Sequence, residues 1–150
     1  IYINMYSFKE FIIFCYAYSF SMVLLVYLLQ LPLLITNEKD IVNIYYIKNF
    51  TKTFFMDFFF IIIYFLIACQ IASCFNITSI PYKLLVLALT TTLLTGFFFF
   101  LFTSFKKNNS LFSQWFHNAK YKTIIYDVVL LSFIYLIYEY IFNLLESNSF

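Results

Sequence analysis

No charged side chain lies between Glu10 and Glu38, and charge is absent again from Asp57 to Lys83 and from Lys83 to Lys106. Uncharged runs of this length constrain the chain more than any motif it carries. A helix needs about 20 apolar residues to cross the roughly 30 Å of hydrocarbon in a bilayer. Four segments meet that need, at about residues 11–35, 54–75, 84–105 and 123–145; the fourth contains Asp127 and Glu139. Each is continuous enough to satisfy its own backbone as a helix, which lipid requires. The alternating pattern of a membrane barrel is missing. Hydrophobic residues make up 64% of the chain and charged ones 11%, against about 25% charged in soluble domains. A water-soluble globule is thereby excluded. The predicted fold is all-α, a polytopic membrane protein with four transmembrane helices plus one or two short interfacial helices. Residues 1–150 form a single membrane domain.

Two prolines and the lysines refine this picture. Pro32 is expected to kink or end the first span, and Pro81 to sit in the turn joining spans two and three. That turn, residues 76–83, is short enough to make those spans antiparallel neighbours. Seven of the nine Lys fall in the first and third connections, and only Lys9 and Lys83 fall on the other side. The positive-inside rule puts the Lys-rich connections on the cytoplasm-like side and both termini opposite. Within residues 110–121, Leu111, Phe112, Trp115, Phe116 and Ala119 share one helical face, with Ser110 as N-cap. This predicts a short helix lying in the interface, with Trp115 as an anchor at headgroup level. Residues 40–50 read similarly. Docking on a partner subunit would leave the same pattern.

Ionisable residues inside spans are costly and mark function. Asp57, Asp127 and Glu139 are therefore the candidates for a proton path, and the alternative for each is an acid at the interface or paired with a partner subunit. Asp127 and Glu139 are separated by twelve positions on one helix and point roughly 120° apart, so they do not pair. No residue is assigned a catalytic, metal-binding or cofactor-binding role. His117 stands alone and reads as a surface histidine, and Cys15, Cys69 and Cys74 as inert thiols in spans. Thr90, Thr91, Thr92 and Thr95 are expected to bond helix carbonyls or to bond across helices. Gln30 and Gln70 are read as interhelical donors. A single glycine, Gly96, rules out a phosphate-cradling loop. The glycosylation-type triplets at Asn49, Asn76 and Asn108 fall on both sides of the predicted topology and read as chance matches.

Membrane residence does not explain everything in the composition. Arg is absent, and Phe, Ile, Tyr, Asn and Lys fill about half of the positions. All five have AT-rich codons. The profile resembles that of proteins encoded by AT-rich mitochondrial genomes, as in some protists. A mitochondrial presequence would be Arg-rich and the sequence has no Arg, so either the gene lies inside the organelle or a presequence has been removed; the difficulty of importing so hydrophobic a chain favours the first. The run Asp127-Val128-Val129, continuing through Leu131, Ile137 and Tyr138, resembles the last helix of the third subunit of cytochrome c oxidase. Phe116 and Ala119 lie at compatible distances upstream. Gly96 followed by Leu101-Phe102 resembles the glycine-centred helix of the sixth NADH-dehydrogenase membrane subunit, where glycine permits a bulge; Leu94 stands where that family has Tyr. These resemblances imply a non-catalytic subunit of a respiratory complex in the mitochondrial inner membrane, with its termini towards the intermembrane space. It would support electron transfer and proton translocation. Its implied partners are other membrane subunits and the lipid bilayer, with bound lipid, no cofactor of its own and no nucleic acid. The alternatives are a small ion- or proton-coupled transporter or channel, and a viral or plasmid membrane protein from an AT-rich genome.

Overall fold

A computed structural model describes residues 8–147, and among them there are helices and no strands. Helix α1 (Phe8–Ser21) continues with wider π winding through Met22–Leu28. Short helices α2 (Leu31–Thr36) and α3 (Lys39–Val42) follow, and a second π segment, Asn43–Lys48, extends α3. Then come α4 (Phe50–Cys74), α5 (Ile80–Ser104), the short α6 (Leu111–Ala119) and α7 (Lys122–Ser147). Four stretches are long and apolar enough to cross a membrane: Phe8–Leu28, Phe50–Cys74, Ile80–Ser104 and Lys122–Ser147. The chain is an all-α membrane protein.

The residue types alone would not dictate helix. Phe58–Phe65 reads FFFIIIYF, and aromatic and β-branched runs of this kind favour strands in water. In hydrocarbon the backbone must bond within its own segment, and the same run is continuous helix within α4.

Two prolines differ from their expected places. The first span stops at Leu28, and Pro32 does not kink it. The chain breaks at Gln30, which takes a left-handed backbone (φ 49°), and Pro32 enters the first turn of α2. Pro81 likewise occupies the first turn of α5 and not the preceding turn. First-turn N–H groups have no helical partner, so proline loses nothing there. Gln30, read as an interhelical donor, is exposed in the break, and Gln70 reaches only Cys74 on its own helix.

The spans form a ring in which α1 packs on α7, α7 on α5, α5 on α4, and α4 back on α1. Aromatic rings make the last contact. Phe14 meets Phe65 edge-on at 5.2 Å, Tyr18 meets Phe58 at 5.1 Å, and the Tyr18 hydroxyl donates to the Phe54 carbonyl at 2.6 Å. Outward faces are apolar; Leu85, Leu89, Leu93 and Phe97 make an exposed row on α5.

Both Lys-rich connections fold across the same end of the ring. Ser110 caps α6 by accepting from the Ser113 N–H at 3.2 Å. The apolar face of α6 covers the bundle itself, with Trp115, Phe116 and Ala119 buried and Phe116 stacked on Phe102 of α5. Trp115, expected as an anchor at headgroup level, is only 4% exposed and packs against the bundle. Burying a ring of this kind at the watery end contributes roughly 1.5–3 kcal/mol. The π segment Asn43–Lys48 lies beside α6, and side chains serve its last carbonyls: Asn49 donates to Ile44, Thr53 to Tyr45 and Tyr27 to Tyr46. Lys122 donates to the Thr36 carbonyl at 2.8 Å, tying α2 to the start of α7.

Glycine has no conformational task in this fold. Gln30, Asn37, Asn76 and Lys120 hold the positive-φ positions. Gly96 sits within regular α5, with no bulge, and an added Cβ there would meet only the Ile124 side chain at 3.9 Å. Gly96→Ala should therefore stabilise the helix by up to about 1 kcal/mol. Lys120→Gly should also stabilise, by about 1 kcal/mol, by relieving a backbone at φ 55° that suits glycine. Thermal unfolding in detergent, followed by circular dichroism, measures both, and a lower midpoint for either variant contradicts this account.

Candidate functional site

Asp57 and Asp127 enter the membrane from the same end on different helices. Asp57 is seven residues into α4 and Asp127 five residues into α7, so they lie about 10 Å and 8 Å from their helix starts. Thr95 of α5 is nine residues from the end of its helix at that same face, a comparable depth. Depths within about 6 Å of one another on three helices of one ring bring these groups within reach.

They converge on a cavity of ≈ 70 Å³. Both carboxylates line it and are half-buried. Four tyrosines, five phenylalanines and Trp115 supply most of the remaining wall. The volume is several times the roughly 10–15 Å³ that one water molecule needs.

Hydrogen bonds orient the polar part of the wall. Tyr45 donates its phenol to Asp57 Oδ1 at 2.8 Å, and Thr95 donates its hydroxyl to Asp127 Oδ2 at 2.7 Å. Because Thr95 spends its one proton on Asp127, the contact at 3.3 Å between Tyr64 and Thr95 has Tyr64 as donor. Tyr64, Thr95 and Asp127 thus form a directed chain across α4, α5 and α7. Tyr46 donates to the Tyr126 hydroxyl at 2.8 Å, which leaves the Tyr126 proton to point elsewhere. Burial raises the Tyr45 and Tyr46 phenols well above the usual tyrosine range, so both stay neutral donors.

The winding of Asn43–Lys48 explains how neighbours in sequence serve one site. A π-helix bonds i to i+5 and turns less per residue than the ~100° of an α-helix. Tyr45 and Tyr46 consequently share the inward face, both buried. Their rings close against the Trp115 indole at 4.9 Å and 5.6 Å. Thr53 fixes the segment from below through its bond to the Tyr45 carbonyl at 2.9 Å.

Of the three predicted proton-path acids, the structure brings Asp57 and Asp127 together and leaves Glu139 apart. Glu139 is buried twelve residues further along α7 and accepts from Tyr135 of its own helix at 2.7 Å. His117 bonds locally, its Nδ1 lying 2.8 Å from the Ser113 carbonyl, and the three cysteines are free thiols. Thr92 bonds back to its own helix at Ala88, while Thr91 is buried without a hydrogen-bond partner.

The sequence reading missed Tyr45, Tyr46, Tyr64 and Tyr126 as site residues. One signal was available, since Asp57 and Asp127 lie at similar depth on spans that start at the same side.

No protein family, characterised protein or solved structure matches this chain.

The Tyr46–Tyr126 bond is suited to a double-mutant cycle. Tyr46→Phe and Tyr126→Phe should each cost about 1 kcal/mol, by removing a bond and stranding a buried hydroxyl. The double variant should cost little more than either single one. Additive losses in thermal unfolding would show that the two hydroxyls act independently.

Proposed function

We propose that this chain is an integral subunit of a mitochondrial inner-membrane respiratory-chain complex, of the cytochrome c oxidase or NADH dehydrogenase kind. In that setting it contributes a proton-handling chamber and no redox centre of its own. The observation that carries this reading is the convergence of Asp57 and Asp127 on one cavity. Two carboxyls in an apolar surround must balance their charge by taking up a proton or a cation. The hydroxyls of Tyr45 and Thr95 bond the two carboxylates directly and give protons neighbours to pass between within the chamber. Proton transfer among such groups requires no metal and no nucleophile from this chain.

The mitochondrial setting is supported by the excess of residues whose codons are AT-rich and by the lack of Arg. The distribution of Lys supports an orientation with the capped end, and with it the chamber, towards the matrix and the termini towards the intermembrane space. The exposed apolar row on α5 suits lipid or another membrane subunit.

A small proton- or ion-coupled transporter is the second reading. It rests on the same convergence of two acids from different spans on one cavity, which suits a coupling site for a proton or an ion. Native gel separation with mass spectrometry discriminates the two. A subunit migrates with a large respiratory complex, whereas a transporter migrates as a small species and moves ions when reconstituted alone.

Within the assembled complex, Asp57→Asn or Asp127→Asn should slow proton-coupled turnover tenfold or more. Glu139→Gln, outside the chamber, should leave the rate within about twofold. Respiration and proton uptake measured together test both statements. Full activity in both Asp variants would remove the chamber from the mechanism.

A further inference from the structure

We infer that the chamber is a binding site for a methylated ammonium group. The inference takes the chamber from the function proposed above but does not depend on membership in a complex.

The first ground is the wall itself. Ten of its fifteen residues are aromatic, against 25% of the whole chain, so the wall is far richer in rings than the sequence it is drawn from. Four of those rings are phenols and one is the chain's single indole. Rings present negative faces, and cages of Trp and Tyr are a recurrent receptor for quaternary ammonium.

The second ground is charge. Asp57 and Asp127 each have one oxygen engaged, by Tyr45 and by Thr95. Among the described residues no lysine pairs with either, and the second oxygen of each has no hydrogen-bond donor. A cavity with two acids and no base selects a cation.

The third ground separates kinds of cation. Small inorganic ions replace a tight water shell with six or more oxygens. Here the polar atoms are few and rings dominate the wall. A methylated ammonium is weakly hydrated, carries its charge behind methyl groups, and gains from both ring faces and carboxylates. The cavity of ≈ 70 Å³ admits a group of a few heavy atoms, since one water needs about 10–15 Å³. Such a group exists both as a free methylated amine and as the headgroup of a choline lipid.

Trp115 lies in the wall and is the only tryptophan, so its fluorescence reports on the site directly. The full chain in a maltoside detergent would be titrated with tetramethylammonium chloride, with NaCl holding ionic strength constant. Saturable change in Trp115 emission is the expected result. Asp57→Asn and Asp127→Asn should each raise the midpoint tenfold or more, with unchanged circular dichroism. A linear response, or an equal response to NaCl alone, overturns the site in the wild-type protein whether or not the variants fold. Folded Asp variants that titrate like the wild type overturn it as well. Dihexanoyl phosphatidylcholine added as competitor identifies the source: displacement assigns a lipid headgroup, no displacement assigns a free amine, and both sustain the site. If tetramethylammonium fails to bind while Asp57→Asn still slows proton-coupled turnover, the ammonium site falls and the proposed function stands.

Discussion

Within an apolar bundle, a polar group not served by another protein group is costly, and the carboxyls of Asp57 and Asp127 set the terms for the capped end of this structure. The lysines at the starts of α4 and α7 do not serve Asp57, and Lys122 bonds the Thr36 carbonyl instead. The donor to Asp57 comes from outside the membrane segments, from Tyr45 on the π segment Asn43–Lys48. Delivering that phenol requires the segment to lie across the end of the bundle, and Thr53 and Tyr27 hold it there through their bonds to its carbonyls. Tyr46 then reaches Tyr126, the residue before Asp127. The cap thus supplies the donor to Asp57, while Thr95 of α5 serves Asp127.

The parts of the fold that were legible in sequence are those that depend on hydropathy alone. Lipid imposes helix on any long uncharged run, so the four spans could be read without knowing what each one touches. The ends were harder. Gln30 ends the first span by taking a left-handed backbone that nothing in its side chain announces, and Pro32 then starts a helix in place of ending one. The inward docking of α6 was also hidden. A face of Leu111, Phe112, Trp115, Phe116 and Ala119 has the same spacing whether it covers lipid, a partner or its own bundle. In the site, Asp57 and Asp127 were visible as charges inside spans, but their meeting depends on how α4, α5 and α7 close into a ring. Thr95 was the least conspicuous. A threonine in a helix usually bonds its own turn, as Thr92 and Thr103 do, and only the approach of α7 gives Thr95 a carboxylate to serve.

The scarcity of small residues changes how the helices meet. Membrane helices often pack closely through Gly and Ala, where backbones can approach. With one glycine and few alanines, α1 and α4 meet instead through interlocked rings such as Phe14 with Phe65 and Tyr18 with Phe58. Edge-to-face pairs of this kind contribute about 0.5–1.5 kcal/mol beyond their contact area. They also hold helices apart, because a ring occupies more room than a methyl group. A cavity walled by rings is a natural outcome of such packing, and here it forms around the two acids.

Two different forces meet at that cavity. Between the spans, lipid tails compete on equal terms with side chains, so packing and interhelical hydrogen bonds do the work and the hydrophobic effect contributes little. At the capped end water is near, and expelling it from Trp115 and Phe116 drives α6 onto the bundle. The chamber takes Asp127 and Thr95's bond from the first regime, and Tyr45, Tyr46 and Trp115 from the second. Its polar geometry therefore depends on a membrane-embedded frame and a water-driven lid at once. The span residues position both charges and serve Asp127 through Thr95, and the cap serves Asp57 through Tyr45.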